Sequence, residues 1–386
     1  MKIALWNASG LPNFGDALLD TTNRIELGLR IPSASFETFC PWAMTRSTTP
    51  LFIDAEGHWE GEGKFSAIVI GGGALLIGPP FNHPGLQAFY LGARPDRFRD
   101  RCFIAWNAIC CDRQSVTGLS AHRQFVQDAA GRMSTITTRN QRTSAFLHEW
   151  GVSEPIADAT DPALLCGDCI DIPDYAADVG VVLARPTFTR EFIEYMRRTA
   201  LEYLQRDSQG FIQLSSSHAF LGEQDHLKSL RHLLNYLAES FELRFAAFNN
   251  MYDDVTYACN VIGRPTGDRL NDLDSYVRWM RQVRCVVAFR LHHCIMAVAC
   301  GMPIVALDSA NTSNVRTTKL REFMAQAELL ELYSSADPAM LSPERVRELI
   351  EKALRSREQV LRARARLRQL AAHHFDTLAS AIRAFG

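Results

Sequence analysis

The stretch "AFRLHHCIMAVACGMPIVAL", residues 288–307, runs from an apolar segment through one arginine and two adjacent histidines into a second apolar segment. "CVVAF" (285–289) reads as a buried strand, and "LHHCIMAVAC" (291–300) as a buried helix stopped by Gly301, with Pro303 two residues on. Arg290 then stands at the carboxyl end of a strand, and His292 and His293 in the first turn of a helix. At such a switch the helix N–H groups and dipole favour an anion, and a guanidinium adds a fork suited to carboxylate or phosphate. Neighbouring helical residues point about 100° apart, so the histidines cannot both serve one ligand in the same way. One belongs in the site and the other in packing or in support behind the residues that touch the ligand.

The same alternation of short β-rich runs and longer amphipathic stretches extends along the chain, the pattern of parallel α/β sheets covered by helices. Strands are expected at 3–6, 67–70, 102–106, 135–138, 179–183, 211–214, 244–247, 285–289 and 304–307. Helices are expected at 17–29, 141–150, 189–206, 226–240, 273–281, 291–300 and 343–385. With 386 residues the chain exceeds what one core usually supports. The turn-rich "GDCIDIPDY" (167–175) marks the boundary, giving an N-terminal Rossmann-like domain over 1–172, a second over 173–342, and a C-terminal helical segment over 343–386. In open α/β sheets the ligand lies beyond the carboxyl ends of the strands, which places it in a cleft between the halves.

Composition excludes several classes. Forty-one Lys and Arg stand against 43 Asp and Glu, so no overall field would draw in nucleic acid. The apolar start is interrupted by Asn7, unlike a signal peptide, and no apolar run approaches a membrane span. The ten cysteines sit mostly in apolar stretches, as reduced thiols do, so a cytoplasmic location is expected, with the inner face of the membrane as a variant. "CGDC" (166–169) has zinc-knuckle spacing but no second half, which favours two free thiols and no metal. The arginines of the last helix could touch anionic lipid, yet they lie on several faces, which favours a solvated surface.

Three further loops carry site chemistry. "NASGLPNFGDALLD" (7–20) is a turn-rich connection with Asn13, Gly15 and Asp16 before a helix; it is neither a dinucleotide fingerprint nor a P-loop. "VIGGGALL" (69–76) ends a strand with Gly71, Gly72 and Gly73, which let a ligand or a neighbouring backbone come close. "TTRNQRTSAFLHEWGV" (137–152) puts Arg139 at a strand end before a helix, repeating the topology of Arg290.

In order, these segments resemble the polysaccharide pyruvyl transferase family: "NFGDALL", "VIGGGALL", "TTRNQRTSAFLHEWGV", "DATDPALL", "FRLHHCIMAVACGMPIVAL" and "NVRTTKLREFM". The resemblance spans about residues 7–325. It implies two Rossmann-like domains facing a central cleft (GT-B-like), and transfer of the pyruvyl group of phosphoenolpyruvate onto two sugar hydroxyls as a ketal. On that reading Arg139 and Arg290 hold the donor's two anionic groups and His292 protonates the enol methylene. Asn13, Gly15, Asp16, Gly71, Gly72, Gly73, His293 and Lys319 bind substrate, and no cofactor is required. The acceptor is a sugar, an oligosaccharide or a lipid-linked glycan, and homo-oligomerisation is compatible with the sequence. Two positions depart from the family pattern: Asn140 replaces an aspartate beside Arg139, and His293 replaces a small residue. These departures keep open a non-polysaccharide acceptor. A nucleotide-sugar glycosyltransferase and a non-catalytic partner-binding subunit are the competing readings.

Overall fold

The computed structural model describes residues 1–7, 14–40, 49–50, 59, 61, 63–71, 102–110, 123–173, 176–185, 223–249, 253–265, 268–308, 318–337 and 340–385. The expected strand at 211–214, the expected helix at 189–206, and Asn13, Gly72 and Gly73 lie outside these residues. The chain divides into two compact units, Met1–Leu165 with Arg368–Gly386, and Cys166–Leu367.

Unit 1 carries a seven-stranded sheet in the order β3-β2-β1-β4-β5-β6-β7, with every pair parallel. Its strands are β1 (Lys2–Trp6), β2 (Ser35–Cys40), β3 (Thr49–Pro50), β4 (Ala67–Gly71), β5 (Phe103–Ile109), β6 (Thr135–Thr138) and β7 (Ile156–Asp158). Helices α1 (Phe14–Arg30), α2 (Arg123–Ala130) and α3 (Gln141–Glu149) belong to it. The apolar strands are buried on both faces, as a helix-covered parallel sheet demands. Ile3, Leu5, Val69 and Ala105 pack on one side with Leu27 of α1, and Trp6, Ile68, Ile70 and Trp106 on the other with Val126 and Leu147.

Unit 2 carries six parallel strands in the order β10-β9-β8-β11-β12-β13. These are β8 (Ala177–Leu183), β9 (Leu243–Phe248), β10 (Asp268–Leu270), β11 (Val283–Ala288), β12 (Ile304–Asp308) and β13 (Tyr333–Ser335). Its helices are α4 (Glu223–Ala238), α5 (Asp254–Ile262), α6 (Leu273–Met280), α7 (Leu291–Ala299), α8 (Lys319–Gln326) and α9 (Pro343–Arg355). The sequence-based stop of α7 is confirmed in detail. Gly301 has φ +70, Gly301 N–H donates to Val298 O, and Met302 N–H reaches back to Ala297 O at 2.8 Å. The strand order of each sheet reverses once, between β1 and β4 and between β8 and β11, which gives each unit a topological switch point.

The boundary and the last helix differ from expectation. Residues 166–172 are expected in the first domain, but Ile170 N–H donates to Cys300 O at 2.9 Å and Arg357 donates to Ile170 O at 2.7 Å, which ties the segment into unit 2. The single helix expected over 343–385 is two, α9 and α10 (Arg357–Phe385), separated at Ser356. Ser342 caps α9 and Pro343 opens it, as the sequence indicated. Rather than forming a segment of its own, α10 is shared: its first residues belong to unit 2, and Phe375, Leu378, Ala379 and Ile382 complete a core of unit 1. Its arginines are not simply a solvated face. Arg364 donates to Ala299 O and Gly167 O, Arg366 to Gln326 O and Arg368 to Leu164 O, while Arg362 remains exposed beside Glu358. Among the described residues no helix is long and apolar enough to cross a membrane.

A buried polar chain joins α10 to the sheet of unit 1. His374 lies 2.5 Å through Nε2 from Asn107 Oδ1, and Asn107 Nδ2 donates to Asn23 Oδ1 at 2.9 Å. Burial, reinforced by the charges of His373 and Arg30, lowers the His374 pKa to about 4. The unfolded chain therefore binds a proton before the folded one as pH falls through the ordinary histidine value. Stability should decline from about pH 6.5 toward pH 4, by at most on the order of 3 kcal/mol. Melting temperatures measured across that window should fall less steeply in His374→Gln than in the wild type; equal slopes would remove His374 from the account.

Candidate active site

Parallel pairing puts all strand ends of unit 2 on one edge, and at that edge the sequence motif of residues 288–307 acquires partners. Arg290 follows β11 in extended backbone (φ −124, ψ 148) and its side chain does not cap α7. Its Nε donates to Asp254 Oδ2 at 3.2 Å and its Nη2 to Asp254 Oδ1 at 2.7 Å, a two-point fork. Nη2 also donates to Arg185 O at 3.1 Å, and Arg185 N–H donates to Asp254 Oδ1 at 2.8 Å. One carboxylate thus ties the end of β8, the start of α5 and the end of β11 together at the switch point. Arg290 remains 20% exposed while Asp254 is fully buried.

The two histidines separate as the helical spacing required. His292, second in α7, is half-buried with Nε2 turned out of solvent. His293 belongs to the core: its ring stacks on Phe248 at 4.5 Å with an interplanar angle of 17°, and Tyr276 Oη donates to its carbonyl at 3.0 Å. Burial first, then the charges of Arg290 and His292, drives the His293 pKa well below the ordinary value and keeps the ring neutral. The expectation that His293 contacts substrate is therefore corrected to packing beneath the site. Lys319 opens α8 after β12, on the same edge of the sheet. The residue capping that helix, Thr318, donates its hydroxyl to buried Asp308, which also accepts from Tyr333 Oη at 2.9 Å.

In unit 1, Arg139 repeats the arrangement more deeply. It follows β6, is 6% exposed, and donates from Nη1 to Asp161 Oδ2 at 2.8 Å, with Asp161 itself 1% exposed. Burial opposes its charge, but Cys110 and Asp161 outweigh that cost and its pKa is raised. Asp161, from "DATDPALL", supplies the carboxylate that the Asn140 departure had removed from Arg139. Asn140 instead caps α3, accepting from Thr143 N–H at 2.9 Å. Arg139, expected to hold the donor together with Arg290, is buried and paired at its own strand end. Asp16 lies in the first turn of α1 rather than before it, where a carboxylate suits the dipole, and Gly15 is buried. Gly71 is required sterically, because a Cβ there would sit 2.0 Å from Asn107 O. At the end of β1, Asn7 Nδ2 donates to Asp20 Oδ1 at 2.7 Å, which ties β1 to α1.

The sequence reading missed Asp254, Arg185 and Asp20. Arg185 was detectable as a charged residue ending an apolar strand. Asp254 was not: α5 is short, and the preceding Asp253 adopts φ +57, which turns an ordinary first-turn acid inward. Cys166 is half-buried and Cys169 exposed; among the described residues no group of three or more His, Cys, Asp or Glu converges for a metal.

The profile of the polysaccharide pyruvyl transferase family matches residues 13–311. The chain belongs to that family. No curated protein matched in sequence. Among solved structures, this pyruvyl transferase family member is similar to Anabaena HepE in complex with UDP and glucose, at 12% identity and TM-score 0.51, over 99% of each chain. It is also similar to the UDP-GlcNAc 2-epimerase of Neisseria meningitidis bound to UDP-GlcNAc, at 8% identity and TM-score 0.50, over 100% of this chain and 99% of the other. At such identities the likeness shows the fold, that of GT-B glycosyltransferases and sugar-nucleotide epimerases, in agreement with the two Rossmann-like sheets.

Breaking a buried ion pair from one side strands a charge and costs about 3–5 kcal/mol. Asp161→Asn and Arg139→Gln should each lower the unfolding free energy by amounts in that range in denaturant titrations; a loss below about 1 kcal/mol would mean that the pair is solvated.

Proposed function

We propose that this family member moves the pyruvyl group of phosphoenolpyruvate onto two hydroxyls of a sugar or glycan precursor, forming a pyruvate ketal and releasing phosphate. The observation that carries this reading is the clamped, still accessible Arg290 at the amino end of α7, two residues before His292. A fixed guanidinium and a helix N-terminus suit a small ligand with a carboxylate and a phosphate.

In this scheme His292 delivers a proton to the methylene carbon of the donor, and positive charge develops at the carbon bearing the phosphate oxygen. One acceptor hydroxyl adds there, the carbon–oxygen bond to phosphate breaks, and the second hydroxyl closes the ketal; the two hydroxyl protons pass to phosphate and solvent. Arg290 holds the donor through the reaction, and the donor's own negative charge offsets that of a protonated imidazole at the amino end of a helix. The acceptor is assigned to unit 1.

Millimolar phosphoenolpyruvate should raise the melting temperature of the wild type, and His292→Gln should keep that shift while losing about 10²–10⁴-fold in turnover. Turnover is read by mass spectrometry as addition of pyruvate less one water to the acceptor. Stabilisation by UDP and none by phosphoenolpyruvate would favour a nucleotide-sugar glycosyltransferase instead, and undiminished turnover in His292→Gln would remove the acid role.

A further inference from the structure

We propose that Asp254 is the positioning residue of the donor site: its buried carboxylate fixes the direction of Arg290, an inference that rests on the pyruvyltransferase reading above. Three donors converge on it, Arg290 Nε at 3.2 Å, Arg290 Nη2 at 2.7 Å and Arg185 N–H at 2.8 Å. A carboxylate with no exposed surface needs such partners, and its place at the amino end of α5 adds the helix dipole.

The consequence for ligand binding is specific. Two parallel hydrogen bonds hold the guanidinium plane, which a single contact would leave free to swing. The bond from Nη2 to Arg185 O locks the same plane to the end of β8, across the switch point. The pair is formally neutral, so Asp254 weakens the long-range pull on an anion while improving the direction of the arginine that meets it. Asp254 therefore serves orientation during the reaction rather than affinity in the ground state. The pair in unit 1 shows the contrast: Arg139 is 6% exposed and Arg290 is 20% exposed, so only the second offers its clamped guanidinium to a ligand.

Asp254→Asn separates the two effects, because it removes the negative charge and turns an N–H donor toward Arg290. Turnover with phosphoenolpyruvate should fall at least about tenfold while KM for phosphoenolpyruvate stays within about threefold, since Arg290 keeps its charge but loses its direction. Unchanged kcat, or a raised KM with kcat intact, would overturn the proposal. A second readout needs no activity and no variant at Asp254. The Arg290 Nε–H resonance of the wild type, assigned by its loss in Arg290→Lys, should be slow to exchange with solvent; rapid exchange would overturn the clamp. Wild type that neither binds nor turns over phosphoenolpyruvate would sink the pyruvyltransferase reading, whereas the clamp stands or falls on the Nε–H signal.

Discussion

A carboxylate with no exposed surface must be surrounded by donors, and in unit 2 that requirement falls on Asp254. Meeting it dictates where β8 and β11 end relative to α5, because its three donors come from Arg185 and Arg290, which follow those strands. The switch point is thus organised by one ion pair, and the first turn of α7, with His292, is delivered as part of the same switch. Beneath it, His293 fills the space between Phe248 and Tyr276, so the helix end rests on an aromatic floor.

The two units apply one architectural rule twice. In each, an arginine follows a parallel strand, precedes a helix, and is held by an aspartate from another connection. In unit 1 the pair is nearly sealed, and the neighbouring close approach of Gly71 to Asn107 leaves no room for any side chain. The difference in exposure, rather than in residue type, separates a pair that braces a sheet end from one that can meet a ligand.

Much of this was legible in the sequence. Apolar runs such as "CVVAF" and "AIVIG" placed the central strands, Gly301 and Ser342 marked helix ends through backbone chemistry that depends on local residues alone, and Arg290 stood out as a charge in an apolar setting. Short edge strands such as β7, β10 and β13 gave no signal, because three residues carry too little periodicity. The partners Asp254 and Asp161 lie 36 and 22 residues from the arginines they hold, so only the fold brings them together. His293 was ambiguous for the same reason: its neighbours Phe248 and Tyr276 come from β9 and α6.

The most direct measurement is a crystal structure of the wild type with phosphoenolpyruvate bound. The account predicts an anionic group of the donor within about 3 Å of the Arg290 guanidinium and of N–H groups at the amino end of α7, with the Asp254 fork intact. Phosphoenolpyruvate bound elsewhere, or an Arg290 that leaves Asp254 to reach it, would contradict the account.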